Sequence, residues 1–319
     1  MQVGAFVYLV GMRVAAIDIG TNTVLLLVAE RTAAGLVAVE EHATITRLGE
    51  GVDKTRKLLP AAIARTNEAI DRYGEIVRRL GAERVDVVGT SAMRDAEGGA
   101  EVRAHVEARL GVPARTVSGD EEARLTFGGA LSGIAAVDPR APVRVFDIGG
   151  GSTEIVHGTS GEVVYAHSFD VGSVRLTERH VKTDPPVAAE IAAVRDAARE
   201  TFASVPAFTS AVPPIGIAGT MTTLAAVALK MGVWDATRVH GLRLSVADLE
   251  RVLAELAALP LAARSAVPGL EPKRADVIVA GGHIALAYLA HAGADEVLIS
   301  DRGVRWGLAE QLSSHGQGA

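Results

Sequence analysis

Two short segments of the chain carry the same chemistry. Asp18-Ile19-Gly20-Thr21-Asn22-Thr23 and Asp147-Ile148-Gly149-Gly150-Gly151-Ser152-Thr153 each place an aspartate before a turn of glycines and small polar residues. Small residues let backbone N–H groups approach an anion closely, as in a backbone nest. The hydroxyls of Thr21, Thr23, Ser152 and Thr153 add donors, and each strand-end aspartate can hold Mg²⁺ directly or through water. One such turn would read as a plain β-hairpin. Two of them, about a domain apart, read as duplicated halves whose turns grip phosphate from both sides of a cleft.

Four further segments offer groups that could serve such a cleft. Thr90-Ser91-Ala92-Met93-Arg94 ends a short strand with two hydroxyls and a forked cation, and Ser91 and Arg94 suit a phosphate clamp. The alternative is a helix capped by Asp95 with Arg94 in solvent. Ser173 and Arg175 in Asp170–Arg175 are of the same type, and a structural role fits them equally. Gly219-Thr220 precedes a helical stretch and resembles an anion site at a helix N-terminus. Glu154 follows the second turn and either completes a Mg²⁺ site with Asp147 or points to solvent.

Ser118-Gly119-Asp120-Glu121-Glu122 is the most informative of these segments. Ser118 and Glu121 have capping-box spacing, which folds the Glu121 carboxylate back onto the N-cap N–H. Glu122 is turned roughly 100° further round the helix and is free to face a cleft. The alternative is that both are carboxylates favoured in a first turn by the helix dipole. The nine histidines show no pair at metal-ligand spacing.

The elements that must position these groups alternate between strand and helix, an α/β pattern with a parallel component. Strands are expected at Arg13–Ile19, Val24–Ala29, Leu36–Glu41, Thr44–Leu48, Val85–Gly89, Ala114–Val117, Val143–Ile148, Glu154–His157 and Glu296–Ser300. Helical spacing marks Pro60–Leu80, Ala100–Leu110, Glu121–Leu131, Pro186–Ser204, Met221–Met231, Val246–Ala258, Arg274–Ala292 and Val304–Leu312. Residues 132–142 are the best boundary, giving domains 12–138 and 139–312. Residues 1–11 are apolar but lack a basic n-region and a cleavage site, so Met12 reads as the natural start or 1–11 as a loose extension.

Composition narrows the classes. A chain of 319 residues with 49% hydrophobic and 22% charged residues is an ordinary globular chain of about two domains. No apolar run reaches the roughly 18 residues of a membrane span. With no cysteine, disulfides and thiolate chemistry are excluded, and the chain is compatible with the cytoplasm. A net charge of −6 argues against bulk nucleic-acid binding. Arginine far outnumbers lysine, which suits phosphate but also follows from a GC-rich genome.

Five segments in this order, around Asp18, Thr90, Glu121, Asp147 and Gly219, resemble the exopolyphosphatase and guanosine pentaphosphate phosphohydrolase family, a branch of the actin, Hsp70 and sugar-kinase superfamily. The likeness runs from Met12 to Leu312. It implies an α/β fold of two ribonuclease-H-like domains facing an interdomain cleft, with the last helix, 304–312, packing back on the first domain. It implies Mg²⁺-dependent hydrolysis of a terminal phosphoanhydride, with inorganic polyphosphate or guanosine pentaphosphate as substrate. Glu122 aligns with the family's base, and Asp147 and Glu154 with its metal site. A cytoplasmic homodimer without nucleic-acid or membrane partners is expected. The rivals are a sugar kinase or Hsp70-like ATPase, and a polyphosphate or nucleotide sensor without turnover. The chain looks like a short form, without further C-terminal helical domains. It also departs from the family's Arg-Glu-Gly near the C-terminus, reading Arg305-Trp306-Gly307.

Overall fold

Val14 to Ile19 are buried without exception, as a strand in the middle of a covered sheet requires. This strand, β1 (Arg13–Ile19), pairs antiparallel with β2 (Thr23–Thr32), which pairs with β3 (Gly35–Ile45). On its other side β1 runs parallel to β4 (Arg84–Gly89), and β4 to β5 (Ala114–Thr116), giving the order β3-β2-β1-β4-β5. The computed structural model from which these elements are read describes residues 11–33, 35–134, 137–138, 140–159 and 162–314. The expectation for residues 1–10 and the middle of the 132–142 linker lie outside the described residues.

The second sheet repeats the first. It contains β6 (Val143–Ile148), β7 (Thr153–Thr159), β8 (Glu162–Phe169), β9 (Ile215–Ile217), β10 (Arg243–Ser245) and β11 (Glu296–Ile299). The run β8-β7-β6-β9-β11 has the same order and directions as β3-β2-β1-β4-β5, and β10 is added antiparallel at the edge. Register repeats too: Ile19 faces Val24 across the first turn, and Ile148 faces Thr153 across the second.

Each sheet is covered on both faces. Helices Pro60–Leu80 and Gly99–Leu110 lay Ile70, Tyr73, Val77 and Val106 on one face of the first sheet. Helices Ala188–Phe202, Ala218–Ala228, Val246–Ala257 and Ile278–His291 cover one face of the second. The remaining two faces are covered in exchange. Helix Gly119–Leu131, which precedes the linker, places Ala123, Phe127 and Ala130 on the second sheet. Helix Val304–Ser314, the last, places Trp306, Leu308 and Ala309 on the first. The two cross at glycines. A Cβ on Gly307 would lie 2.1 Å from the Leu125 carbonyl oxygen, and one on Gly129 2.1 Å from that of Gly303. Among the described residues no helix is long and apolar enough to cross a membrane.

Several elements differ from the sequence reading. The two strands expected over 36–48 are one, β3. Thr90-Ser91 opens a short helix, Ser91–Asp95, rather than an open loop. The helix expected from Arg274 begins at Ile278, because Pro272–Arg274 forms a 3₁₀ turn first. Helix Ser173–His180 and strand β8 had no counterpart in that reading.

Candidate active site

Both glycine turns follow the C-terminal ends of parallel strands, where open α/β sheets place their ligands. They close identically: Gly20 N–H donates to the Thr23 carbonyl at 3.0 Å, and Gly149 N–H to that of Ser152 at 3.0 Å. The turns meet. A Cβ on Gly150 would lie 3.1 Å from Thr21 Cγ2, and one on Gly151 2.5 Å from Ser91 Oγ, so larger residues would push the halves apart.

The second turn is held by its carbonyls. Gly149 O accepts from Ser173 N at 2.9 Å, Gly150 O from Val174 N at 2.9 Å, and Gly151 O from Arg175 Nε at 2.7 Å. All three bonds come from the start of helix Ser173–His180. Trans peptide planarity then turns the N–H groups of Gly150, Gly151 and Ser152 away from that helix. Among the described residues none of the three donates a hydrogen bond within the protein. Three unsatisfied donors in a row form a seat for an anion.

A cleft of about 470 Å³ opens between the turns. Of the residues picked out in the sequence, its walls carry Asp18, Gly20, Thr21, Asn22, Thr23, Glu122, Asp147, Gly149, Gly150, Ser152, Glu154, Ser173 and Gly219. Ser91, Arg94, Gly151, Thr153, Arg175 and Thr220 stand outside it. Thr153 Oγ1 donates to the Val171 carbonyl and Thr220 Oγ1 to that of Ile148, so both hydroxyls brace the backbone. Ser91 donates to Asp95 at 3.1 Å. Arg175 is buried with every polar group engaged, on Gly151, Asp53 and Asp95. Arg94 sits behind Glu122, its Nη1 3.0 Å from the carboxylate.

Of the carboxyl groups lining this cleft, Asp18, Glu122, Asp147 and Glu154 have raised pKa values, and burial is the main cause for each. Asp18 is pushed up to about 7, with Arg305 opposing and Glu154 adding; its Oδ1 is buried without a partner. Asp147 is raised further by Glu154 and Asp18. Glu154 lies opposite Asp147 across β6 and β7, and its rise is opposed by the hydroxyls of Ser168 and Ser152. Glu122 is raised well above the carboxylate range by burial and Glu154, while Arg94 opposes. A carboxylate so poised accepts a proton readily.

The cap of the Glu122 helix differs from expectation in one respect. Ser118 Oγ accepts from Glu121 N–H at 3.2 Å, as an N-cap should. The Glu121 carboxylate does not fold back: Arg115 takes it in an ion pair. Both arrangements leave Glu122 facing the cleft.

Two cationic groups in the cleft were not picked out from the sequence. Arg305, paired with Glu41, stands in the wall beside Asp18. Arg274 packs over Gly219, where a Cβ would displace its guanidinium, and donates to Thr23 Oγ1 at 2.9 Å. Burial depresses its pKa to about 10, and no carboxylate pairs with it among the described residues. Half-buried, with Glu271 acting on it only at a distance, this guanidinium is placed to receive an anion in the cleft. Ala218, in the same wall, holds φ at +62°, a strained backbone of the kind found at functional sites. Trp306, where members of the family that the chain resembles often have Glu, is buried against the first sheet with Arg302 stacked 3.8 Å from its ring centroid.

Comparison with known proteins agrees with this geometry. The model of the Ppx/GppA phosphatase family matches residues 27–315. Exopolyphosphatase 2 of Mycobacterium tuberculosis is 41% identical over 94% of this chain and 98% of its own length. The crystal structure of an exopolyphosphatase-like protein superposes with a TM-score of 0.89 at 33% identity, covering 95% of this chain and 99% of that one. The Ppx/GppA family member of Aquifex aeolicus superposes with a TM-score of 0.81 at 31% identity, covering 96% and 99%.

Proposed function

The chain belongs to the Ppx/GppA phosphatase family, and from that premise we propose that it removes the terminal orthophosphate of inorganic polyphosphate by hydrolysis of the phosphoanhydride. The observation that carries the reading is the row of free N–H groups in the second turn, of which those of Gly150 and Ser152 belong to cleft-lining residues beside a buried carboxylate, Glu122. The terminal phosphoryl group rests between the two turns, with Thr21, Asn22, Thr23 and Ser152 as further contacts. Arg274 neutralises phosphate charge from the second half.

Asp147 and Glu154 face each other across two strands as like charges, each held above its ordinary pKa. A divalent cation relieves that repulsion. Among the described residues no three acidic or histidine groups converge as a metal cage. Two carboxylates completed by water and substrate oxygens suit Mg²⁺. When bound, Mg²⁺ would neutralise phosphoryl oxygens and so ease nucleophilic attack.

The remaining chemistry belongs to the chain. Glu122 takes a proton from water, the water oxygen forms a bond to phosphorus, and the bridging P–O bond breaks. Its electron pair stays on the shortened chain. Arg94 holds the Glu122 carboxylate in place, and the turn N–H groups stabilise charge on the transferred group, the logic of phosphoryl transfer.

A second reading, guanosine pentaphosphate as substrate, is favoured by one feature. A neighbouring cavity of about 520 Å³ shares Arg274 and the half-exposed Trp234 with the cleft, and its wall includes Met231 and Leu270. Such a wall suits a base better than a bare polyanion. Orthophosphate release from polyphosphates of several lengths, beside guanosine pentaphosphate, with Mg²⁺ present or chelated, separates the two. No release from any of them would overturn both. The homodimer and the cytoplasmic location rest on the family resemblance, and sedimentation tests the first.

A further inference from the structure

Arg175 is 4% exposed, and its three nitrogens reach three separate pieces of the molecule. Nε donates to the Gly151 carbonyl at 2.7 Å, in the second phosphate turn. Nη1 donates to Asp53 at 2.8 Å and Nη2 to Asp95 at 2.8 Å, both in the first half of the chain. Asp95 does not stop there. Its other oxygen lies 3.7 Å from Arg94 Nε, and Arg94 Nη1 holds Glu122 at 3.0 Å. A continuous chain of charges thus runs from the turn, through Arg175, Asp95 and Arg94, to the carboxylate that faces the cleft.

Its surroundings fix it at both ends. Asp53 also takes a two-pronged bond from Arg179, at 2.6 Å on each oxygen, and Gly51 N–H donates to Glu178 at 2.9 Å. Arg175, Glu178 and Arg179 lie on one helix of the second half, so this helix is fastened both to Asp95 and to the short helix Val52–Thr55 with its N-cap Gly51. Arg175 has no nitrogen left for a phosphate. The planar fork spreads its donors over three nitrogens and so spans three separated acceptors, whereas a lysine ammonium offers all its donors from one point.

We propose that Arg175 is a positioning residue that couples the docking of the two halves to the placement of Glu122, through Asp95 and Arg94. When the halves are latched, Asp95 is fixed and Arg94 presents Glu122 to the cleft. When they part, Asp95 loses its fork, and Arg94 is left with the Val117 carbonyl, 3.2 Å from its Nη1, as its remaining anchor beside Glu122. The inference rests on the reading of Glu122 as the base.

The test uses the full chain with polyphosphate as substrate and the variants Arg175→Gln, Arg175→Lys, Asp95→Asn and Arg175→Gln/Asp95→Asn. Asp95→Asn leaves the Arg175 bonds to Gly151 and Asp53 in place, so it folds where Arg175→Gln fails to. Expected are a kcat lowered about 10- to 100-fold in each single variant and a KM changed less than about threefold in Asp95→Asn. The double variant should lose no more than the worse single one, because both cut the same chain. A raised KM with kcat intact would make Arg175 a substrate contact. A lowered melting temperature with kcat per folded molecule intact would make it structural. Independent, additive losses would break the chain. Each of these overturns the proposal. Glu122→Gln, measured alongside, separates the two levels. If it keeps near wild-type turnover, the base reading itself fails. If it is inactive while Asp95→Asn keeps full kcat, only the coupling fails.

Discussion

Replacing Glu122 and Glu121 one at a time by Gln separates two neighbours that the fold gives opposite work. Glu122 is 6% exposed and faces the cleft, whereas the Glu121 side chain is 43% exposed and paired with Arg115. Gln at 122 keeps the size and can still accept the bond from Arg94 through its amide oxygen. What it loses is the capacity to take a proton from water. A general base contributes roughly 10²–10⁴ in rate, so kcat should fall by that factor while substrate still binds. At 121 only an exposed ion pair is lost, about 0–1 kcal/mol of stability, and turnover should stay near wild type. Stability at 122 should move the other way. The folded pKa of Glu122 lies above its unfolded value, so its contribution is full below the unfolded pKa and lost as pH rises through the folded one. At neutral pH, Glu122→Gln should therefore melt higher than wild type, and the gain should vanish near pH 4. Single-turnover phosphate release, substrate titration and melts across pH read all three quantities. An inactive Glu121→Gln beside an active Glu122→Gln would refute the helix-phase argument, and two active variants would place the base elsewhere.

Arg274→Met keeps bulk but removes a half-buried cation whose one side-chain hydrogen bond among the described residues is to Thr23, so kcat/KM should fall by a charge-assisted bond, about 1.5–3 kcal/mol. Unchanged kcat/KM on every phosphate substrate would remove Arg274 from the site. Asp147→Asn should raise the Mg²⁺ concentration for half-maximal turnover, and an unmoved metal-dependence curve would refute its role. Asp18→Asn removes a group raised to about 7. In metal-free protein it should stabilise the fold by on the order of 3–4 kcal/mol at pH 8, falling away between pH 7 and 4; a pH-independent effect would count against the burial argument. Gly307→Ala sets a Cβ 2.1 Å from the Leu125 carbonyl oxygen and should cost about 1–3 kcal/mol, read as a lowered melting temperature.

The glycine turns were legible because their chemistry is local: aspartate, glycine and hydroxyl within six residues announce a turn that bares its backbone. Glu122 was legible for the same reason, through the phase of one helix. Arg274 was not. It precedes an apolar run and reads as the first turn of that helix, while Thr23, which it touches, lies 251 positions away. Arg175 was recognised as a candidate, but its fork is filled by Asp53 and Asp95, 122 and 80 positions away, and no local pattern announces that. Strand β8 escaped because an edge strand is half exposed along its length and shows no clean apolar face. The exchange of covering helices escaped because amphipathic spacing shows that a helix has an apolar face, not which sheet receives it.

The duplication makes the differences between the halves as informative as the likeness. Asp147 is paired in register with Glu154, while Asp18, its counterpart, is paired with Leu25. Two facing carboxylates suit a cation; one carboxyl beside a leucine does not. The first half instead offers Asn22, Thr21 and Thr23 and borrows Arg274 from the second. Asp18, pushed up to about 7 by burial and with an oxygen that has no partner among the described residues, holds a proton more readily than an ordinary carboxyl. Protonated, it would donate a hydrogen bond to a phosphate oxygen rather than repel it. Under the proposed function, a polyanion would meet a facing pair of carboxylates suited to a cation on one wall and neutral or cationic donors on the other. The division follows from a single change of residue type at one register position.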